Sequence, residues 1–227
     1  MEQVSPLEIV QRDIVTCNIC TRLLDHCRAV AITKRRAYKD QTYWGRPVPS
    51  FGDPSARLLI LGLAPGAHGA NRTGRMFTGD SSGDLLYRVL HTTGFATQPT
   101  SRSIDDGLAL HDAYITASCH CAPPDNKPAL NEVGACRTYV ERELKLLDRV
   151  QVVVALGKLA HDNFLSVLKG QNRIASRTPY VFGHNATHSI SPVLIDSYHP
   201  SQQNTSTGKL TEQMLIEVFL NARSLLA

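Results

Sequence analysis

The sequence predicts an α/β protein built on a parallel sheet, and three observations carry that expectation. Four short apolar runs (Leu58 to Leu63, Ala113 to Ala117, Val150 to Leu156, Pro192 to Tyr198) alternate with stretches of helical periodicity. The chain has 227 residues, which suits one generous domain, and its 42% hydrophobic and 19% charged content lies in the ordinary globular range. Strand and helix alternating in this way give a parallel sheet with helices on both faces, joined by right-handed crossovers.

Taken in order, residues 7 to 16 place Leu7, Val10, Ile14 and Val15 at near-helical spacing after Pro6, so a short helix leads into Cys17. From Arg28 to Pro54 periodicity is lost and Pro47, Pro49, Gly52 and Pro54 punctuate the chain, which reads as an extended segment running over the surface. Beyond it the four runs are strands. Helices are expected over Asp84 to Thr93, Leu130 to Leu147, Lys158 to Leu168 and Thr211 to Leu226. No apolar run approaches eighteen residues, and Met1-Glu2-Gln3 opens no basic-then-apolar leader, so neither a membrane span nor secretion is expected. An intracellular setting turns the six cysteines into candidate metal ligands or redox groups.

The net charge of +4 is mild, but its distribution is uneven. Residues 21 to 50 hold Arg22, Arg28, Lys34, Arg35, Arg36, Lys39 and Arg46 against Asp25 and Asp40, a local excess of five. With Tyr38, Tyr43 and Trp44 interleaved, the segment suits phosphate contact together with stacking. The plainer reading is a solvated basic loop packed by its own aromatics.

In a parallel sheet the working residues gather in loops beyond the carboxyl ends of the strands. The loop from Gly62 to Asp80 holds glycines at 62, 66, 69, 74 and 79, and fits neither the phosphate loop ending in Gly-Lys-Ser/Thr nor the dinucleotide pattern. It reads as a pocket loop ending in a carboxylate. Asp80 is a natural helix N-cap, where the positive end of the helix favours ionised carboxylate. Beside a glycine-lined pocket it is also placed to stabilise a developing cation or to orient water. The loop from His199 to Lys209 is almost wholly polar; its histidine is either a structural turn residue or a donor to an oxyanion in the same crevice. Cys17 and Cys20 form a C-x2-C pair, Cys121 and Cys136 are separated by fourteen residues, and Cys27 and Cys119 are left over. Four thiolates suit zinc or an iron-sulfur cluster, with a redox pair as the third possibility.

Taken together, Cys17-x2-Cys20, Tyr43-Trp44-Gly45-Arg46-Pro47-Val48-Pro49, the Gly62 to Asp80 loop, Cys121-Ala122-Pro123-Pro124 with Asn126-Lys127-Pro128, and His199 to Leu210 resemble the uracil-DNA glycosylase superfamily, in particular its iron-sulfur type 5, or B-type, branch. These motifs cover most of the chain in the family's order. The resemblance implies a single three-layer α/β/α domain over residues 1 to 227 with a four-stranded parallel sheet, residues 1 to 54 forming an N-terminal helix and extended segment that carries two cluster cysteines. It implies a [4Fe-4S] cluster on Cys17, Cys20, Cys121 and Cys136, with zinc as the alternative metal. Ser118-Cys119-His120 departs from the small apolar residues and Arg expected before the third ligand, which leaves Cys119 as a competitor to Cys121.

The activity implied is a monofunctional DNA glycosylase of base excision repair. It would hydrolyse the N-glycosidic bond of uracil, and of other deaminated or mismatched bases such as thymine or hypoxanthine, in double-stranded DNA, leaving an abasic site. Asp80 and His199 are the implied catalytic pair. Gly62, Ala64, Gly66, His68, Phe77, Asn126 and Ser201 are implied to hold the substrate, and Arg72, Gln202, Asn204 and Lys209 to contact DNA. A monomer is expected, cytoplasmic or associated with the nucleoid. The alternative class is a non-catalytic iron-sulfur or zinc protein that binds nucleic-acid lesions.

Overall fold

The computed structural model describes residues 4–227, and its elements follow the chain as strands wrapped by helices. Helix α1 (Pro6–Val15) opens on a capping box: the Ser5 hydroxyl accepts from the Glu8 amide while the Glu8 carboxylate accepts from the Ser5 amide. After Cys17, helix α2 (Thr21–Thr33) follows, where an extended stretch beginning at Arg28 is expected. Its buried side is narrow, only Leu23, Leu24 and Cys27, although Leu23, Leu24, Cys27, Val30 and Ala31 do recur at helical spacing. The segment beyond it is extended but does not stay on the surface. Tyr43, Val48 and Ser50 are buried, and the Val48 amide donates to the His120 carbonyl at 2.7 Å.

Strand β1 (Phe51–Gly52) precedes β2 (Leu58–Gly62), then come helices α3 (Ala70–Thr73) and α4 (Ser81–Thr92), strand β3 (Ala113–Ala117) and helix α5 (Leu130–Leu146). Strand β4 (Val152–Leu156), helix α6 (Lys158–Gly170), strands β5 (Thr187–His188) and β6 (Val193–Ser197), and helices α7 (Gln202–Ser206) and α8 (Glu212–Leu225) complete the chain. The four expected strands are β2, β3, β4 and β6. They pair parallel in the order β3-β2-β4-β6, and the two-residue strands β1 and β5 add antiparallel edges to make a mixed six-stranded sheet. Strands of two residues are too short to leave an apolar pattern, yet they cover the backbone donors and acceptors that the outer parallel strands would otherwise expose.

Side chains alternate across β2, so Leu58 and Ile60 face one core while Leu59 and Leu61 face the other. The first core is closed by α4 and α8, through Leu86, Val89, Leu215 and Phe219. The second is closed by α5 and α6, through Val140, Phe164 and Leu168. Each fully buried aliphatic side chain contributes about 1.5–3 kcal/mol, and with both faces covered the strands read as unbroken apolar runs. Helix α1 packs on α5 through Val10, Ile14 and Tyr139. No helix among the described residues is long and apolar enough to cross a membrane.

Gly52 has a φ of +146°, and a Cβ there would lie 2.5 Å from the Ala113 carbonyl oxygen. Gly52→Ala should cost about 2 kcal/mol through backbone strain and crowding, lowering Tm by about 4–8 °C for a chain of this size. Thermal unfolding followed by circular dichroism measures it.

Candidate active site

The carboxyl ends of β2, β3, β4 and β6 form one rim, and the β2–β3 ladder does not stop at the strands. The Gly62 carbonyl accepts both the Ser118 amide at 2.9 Å and the Ser118 hydroxyl at 3.1 Å, and the Leu63 carbonyl accepts the Cys119 amide at 3.0 Å. This extension fixes where the glycine loop begins. The Gly66 carbonyl then accepts the Gly69 and Asn71 amides, a tight turn into α3, a short helix that the glycine-rich sequence does not announce.

The loop returns through Phe77, held at a φ of +52° with its ring against Gly62, where a Cβ would lie 2.9 Å from the ring. Asp80 fills both roles offered by the sequence. One carboxylate oxygen caps α4 by accepting the Gly83 amide at 3.0 Å. The other faces the turn, 2.7 Å from where a Cβ of Gly66 would stand and 1.8 Å from that of Gly69. Burial pushes its pKa above the ordinary aspartate value, outweighing the amides of Gly83 and Ser82, which act to lower it. The helix terminus therefore does not hold Asp80 at low pKa.

Opposite, Gly157 follows β4 and its amide donates to the Ser197 carbonyl of β6 at 2.7 Å. His199 lies against Gly157, and its ring centroid is 6.1 Å from that of Phe77, tilted by 32°. Burial pushes the His199 pKa down to about 4. Its side chain has no hydrogen-bond partner among the described residues, so a neutral imidazole faces the rim with both nitrogens free.

The remaining expected site residues divide. Gly62 and Gly66 line the loop around Asp80 and Phe77, and Ala64 is half-buried in the same loop. His68 lies 3.0 Å from the Tyr43 hydroxyl through Nδ1, which ties the basic segment to the loop. Asn126 is exposed at the end of a 3-10 turn, Pro124–Asn126, and no hydrogen bond or ring contact joins it to the Phe77–His199 pair. Ser201 caps α7, a short helix standing where an irregular loop is expected. Asn204 donates its side-chain amide to the His199 carbonyl at 2.8 Å, Lys209 lies over the Tyr198 ring at 4.9 Å, and Gln202 is exposed. Arg72 donates to the His68 and Gly79 carbonyls and to Gln41, and stacks on Tyr38, which makes it a brace of the loop. A residue that sequence reasoning passes over is Arg75. It is 3% exposed, pairs with Asp106 at 2.8 Å and binds Thr78 and Ser101, anchoring the loop from behind. Its partner comes from an irregular segment with no pattern to mark it.

The 34–46 segment lies along the outer side of this loop. The Trp44 and Gly45 amides donate to the Arg72 and Asn71 carbonyls, Trp44 covers Gly74, and Arg46 stacks on Trp44 at 3.8 Å. Arg35, Arg36, Lys39 and Arg46 are exposed and form no ion pair among the described residues, whereas Arg22 is committed to Glu132 at 2.6 Å.

Behind the rim, Cys17, Cys20, Cys121 and Cys136 line one small apolar cavity of about 20 Å³. Cys27 and Cys119 are buried but do not line it. Among the described residues no three cysteine sulfurs lie within 4.8 Å of one another; the one compact group of metal-type donors is His161, His188 and Asp196. Four thiolates at about 2.3 Å from a single zinc ion stand about 3.8 Å apart. The shared apolar lining is what sets these four thiols apart as the candidate ligand set.

The family model described as the uracil DNA glycosylase superfamily matches residues 49–223. The chain belongs to the uracil-DNA glycosylase superfamily. A type-5 uracil-DNA glycosylase of Thermus thermophilus is 44% identical over 96% of this chain and 97% of its own length. One from Mycobacterium leprae is 47% identical over 93% and 92%. A type-4 uracil-DNA glycosylase of Thermotoga maritima is 26% identical over 96% and 93%. The superfamily match takes in the whole rim with Cys121 and Cys136, while Cys17 and Cys20 lie before it and are spanned by the Thermus relative.

Within this superfamily member, the cradle of Gly66 and Gly69 sets the state of Asp80. Carboxyl chemical shifts followed against pH should place the Asp80 midpoint above the ordinary aspartate range. Gly69→Ala expels the carboxylate toward water and should return that midpoint toward the ordinary value.

Proposed function

We propose that the protein excises uracil from DNA by hydrolysing the bond between the base and deoxyribose, leaving an abasic site. The observation that carries this reading is the half-buried carboxylate of Asp80, set in its glycine cradle on the same rim as the Phe77–His199 pair. The likeness to type-5 uracil-DNA glycosylases over nearly the whole chain supports it.

The target bond is shielded in a duplex, so the nucleotide must be extruded, at a cost of a few kcal/mol that is least at a mismatch. Uracil opposite guanine is therefore favoured, and thymine or hypoxanthine in the same setting belong to the proposed range. Phe77 offers its ring as a stacking face. As the bond from the sugar carbon to the base nitrogen breaks, positive charge develops on the sugar and negative charge on the base. The Asp80 carboxylate stabilises the first and orients the water whose oxygen takes the sugar carbon. A neutral His199 donates an N–H to the base oxygen, and in a buried site this needs no prior protonation. The base leaves with the proton lost by the water, and no amine enters the reaction, so no lyase step follows.

Exposed Arg35, Arg36, Lys39 and Arg46 would hold backbone phosphates of double-stranded DNA, with Gln202 and Lys209 at the far side of the rim. Cys17, Cys20, Cys121 and Cys136 would hold a [4Fe-4S] cluster. When bound, that cluster supplies a cross-link between the α1–α2 junction, the loop after β3 and helix α5, outside the hydrolytic step. The protein acts as a monomer.

Labelled duplexes with uracil, thymine or hypoxanthine opposite guanine, treated with alkali after incubation, should show strand scission at uracil. Retained binding without scission would overturn the reading. Asp80→Ala and His199→Ala should each lower kcat by about 10²–10³-fold. Because burial raises the pKa of Asp80 and lowers that of His199 to about 4, kcat should rise along an acid limb as Asp80 ionises. It should then stay level through neutrality, with no histidine limb near pH 6–7. Cys121→Ser should lose iron and the brown absorbance, whereas Cys119→Ser should keep both; the reverse would move the third ligand to Cys119.

A further inference from the structure

We propose that His184, buckled in place by the His161–Asp196–His188 triad, is a positioning residue that fixes the direction of His199. The inference rests on the reading of His199 as donor to the departing base. Because His199 has no side-chain partner of its own among the described residues, its aim depends on how the backbone on either side is held. On the far side the Asn204 amide grips the His199 carbonyl at 2.8 Å. On the near side the Tyr198 amide donates to Nδ1 of His184 at 3.2 Å, and the two rings stack with centroids 5.0 Å apart at 20°. Since Nδ1 accepts, the proton of His184 sits on Nε2. His184 thus holds the peptide that leads out of β6.

His184 lies in a strap, residues 180 to 188, that has little regular structure to hold it. Asp196 supplies the hold from the centre of the sheet. It is fully buried on β6, with one oxygen 2.7 Å from Nδ1 of His161 on α6 and the other 2.8 Å from Nε2 of His188 on β5. The second oxygen also accepts the Gly183 amide at 3.3 Å, while the Asn185 amide and the Ala186 carbonyl bond the Asp196 backbone. Nε2 of His161 lies 3.0 Å from the Tyr180 carbonyl, which can only accept, so that nitrogen carries a proton and pins the start of the strap. Each carboxylate oxygen already faces one imidazole nitrogen at hydrogen-bond distance, so the triad is closed as a latch. Asp196 stands three residues before His199, and the strap it holds reaches forward to the peptide just before it.

A shift of the Tyr198–His199 peptide by an ångström takes the imidazole off the base oxygen, and misplacement on that scale costs about 10²-fold in rate. The test compares excision of uracil and 5-fluorouracil from the same duplex. Fluorine stabilises the departing anion, so that base depends less on a donor. His184→Ala should lower kcat for uracil by tenfold or more with KM unchanged, and lower it much less for 5-fluorouracil. His184→Asn, which restores an acceptor near Nδ1, should recover most of the rate. In a His199→Ala background, His184→Ala should add no further loss. Equal losses for the two bases, additive losses in the double variant, or full activity of His184→Ala beside an active wild type would each overturn the positioning role. An inactive wild type would remove the glycosylase reading and this inference with it.

Discussion

The hydrogen bonds that carry the β2–β3 ladder past its strands, from Ser118 to Gly62 and from Cys119 to Leu63, hold the rest of the site in register. On one side they launch the glycine loop that returns to Asp80. On the other they set the direction of the chain from Ser118 into Cys121, and so the wall of the cysteine cavity. The rim and the cavity therefore share two adjacent loops of one parallel pair, and neither can move far without the other. A cross-link through these cysteines, as proposed above, would stiffen the neighbour of the loop that carries the carboxylate.

Electrostatically the two ends of the rim are prepared in opposite senses by the same cause. Burial disfavours charge on both Asp80 and His199, raising one pKa and lowering the other. For His199 this favours the neutral imidazole across the physiological range. For Asp80 it works against the helix terminus and the capping amides, so the carboxylate is less comfortably charged than an ordinary N-cap. A carboxylate held under that tension gains more from a cation forming beside it than a well-solvated one would.

Much of this was legible in the sequence because it depends on continuous apolar runs and on chain order. The four parallel strands lie within two residues of their expected ends, since strands covered on both faces must be apolar throughout. Asp80 and His199 fall on one rim because chain order places the strand ends there. What could not be read has equally physical causes. Strands β1 and β5 are too short to show a period and α3 and α7 are short helices held by local hydrogen bonds, whereas α2 does carry a helical spacing at Leu23, Leu24 and Cys27 that sequence reasoning passes over. The resemblance gives Arg72 as a DNA contact, and its engagement with two carbonyls and Gln41 is not visible in the sequence. Arg75, Asp196 and His184 act through partners far away in the chain, and no local spacing announces such pairs.

The glycine cradle limits how the rim can change. At Gly62 an added methyl would meet the Phe77 ring, at Gly66 and Gly69 the Asp80 carboxylate, and at Gly83 the Phe77 carbonyl, so these four positions are closed to every other residue without moving the machinery itself. Between them stand Ala64, Ala67 and His68, half-buried and free of those collisions. Within this loop, drift in which base the rim accepts, whether by natural divergence or by directed selection, has more room at those three sites than at the glycines.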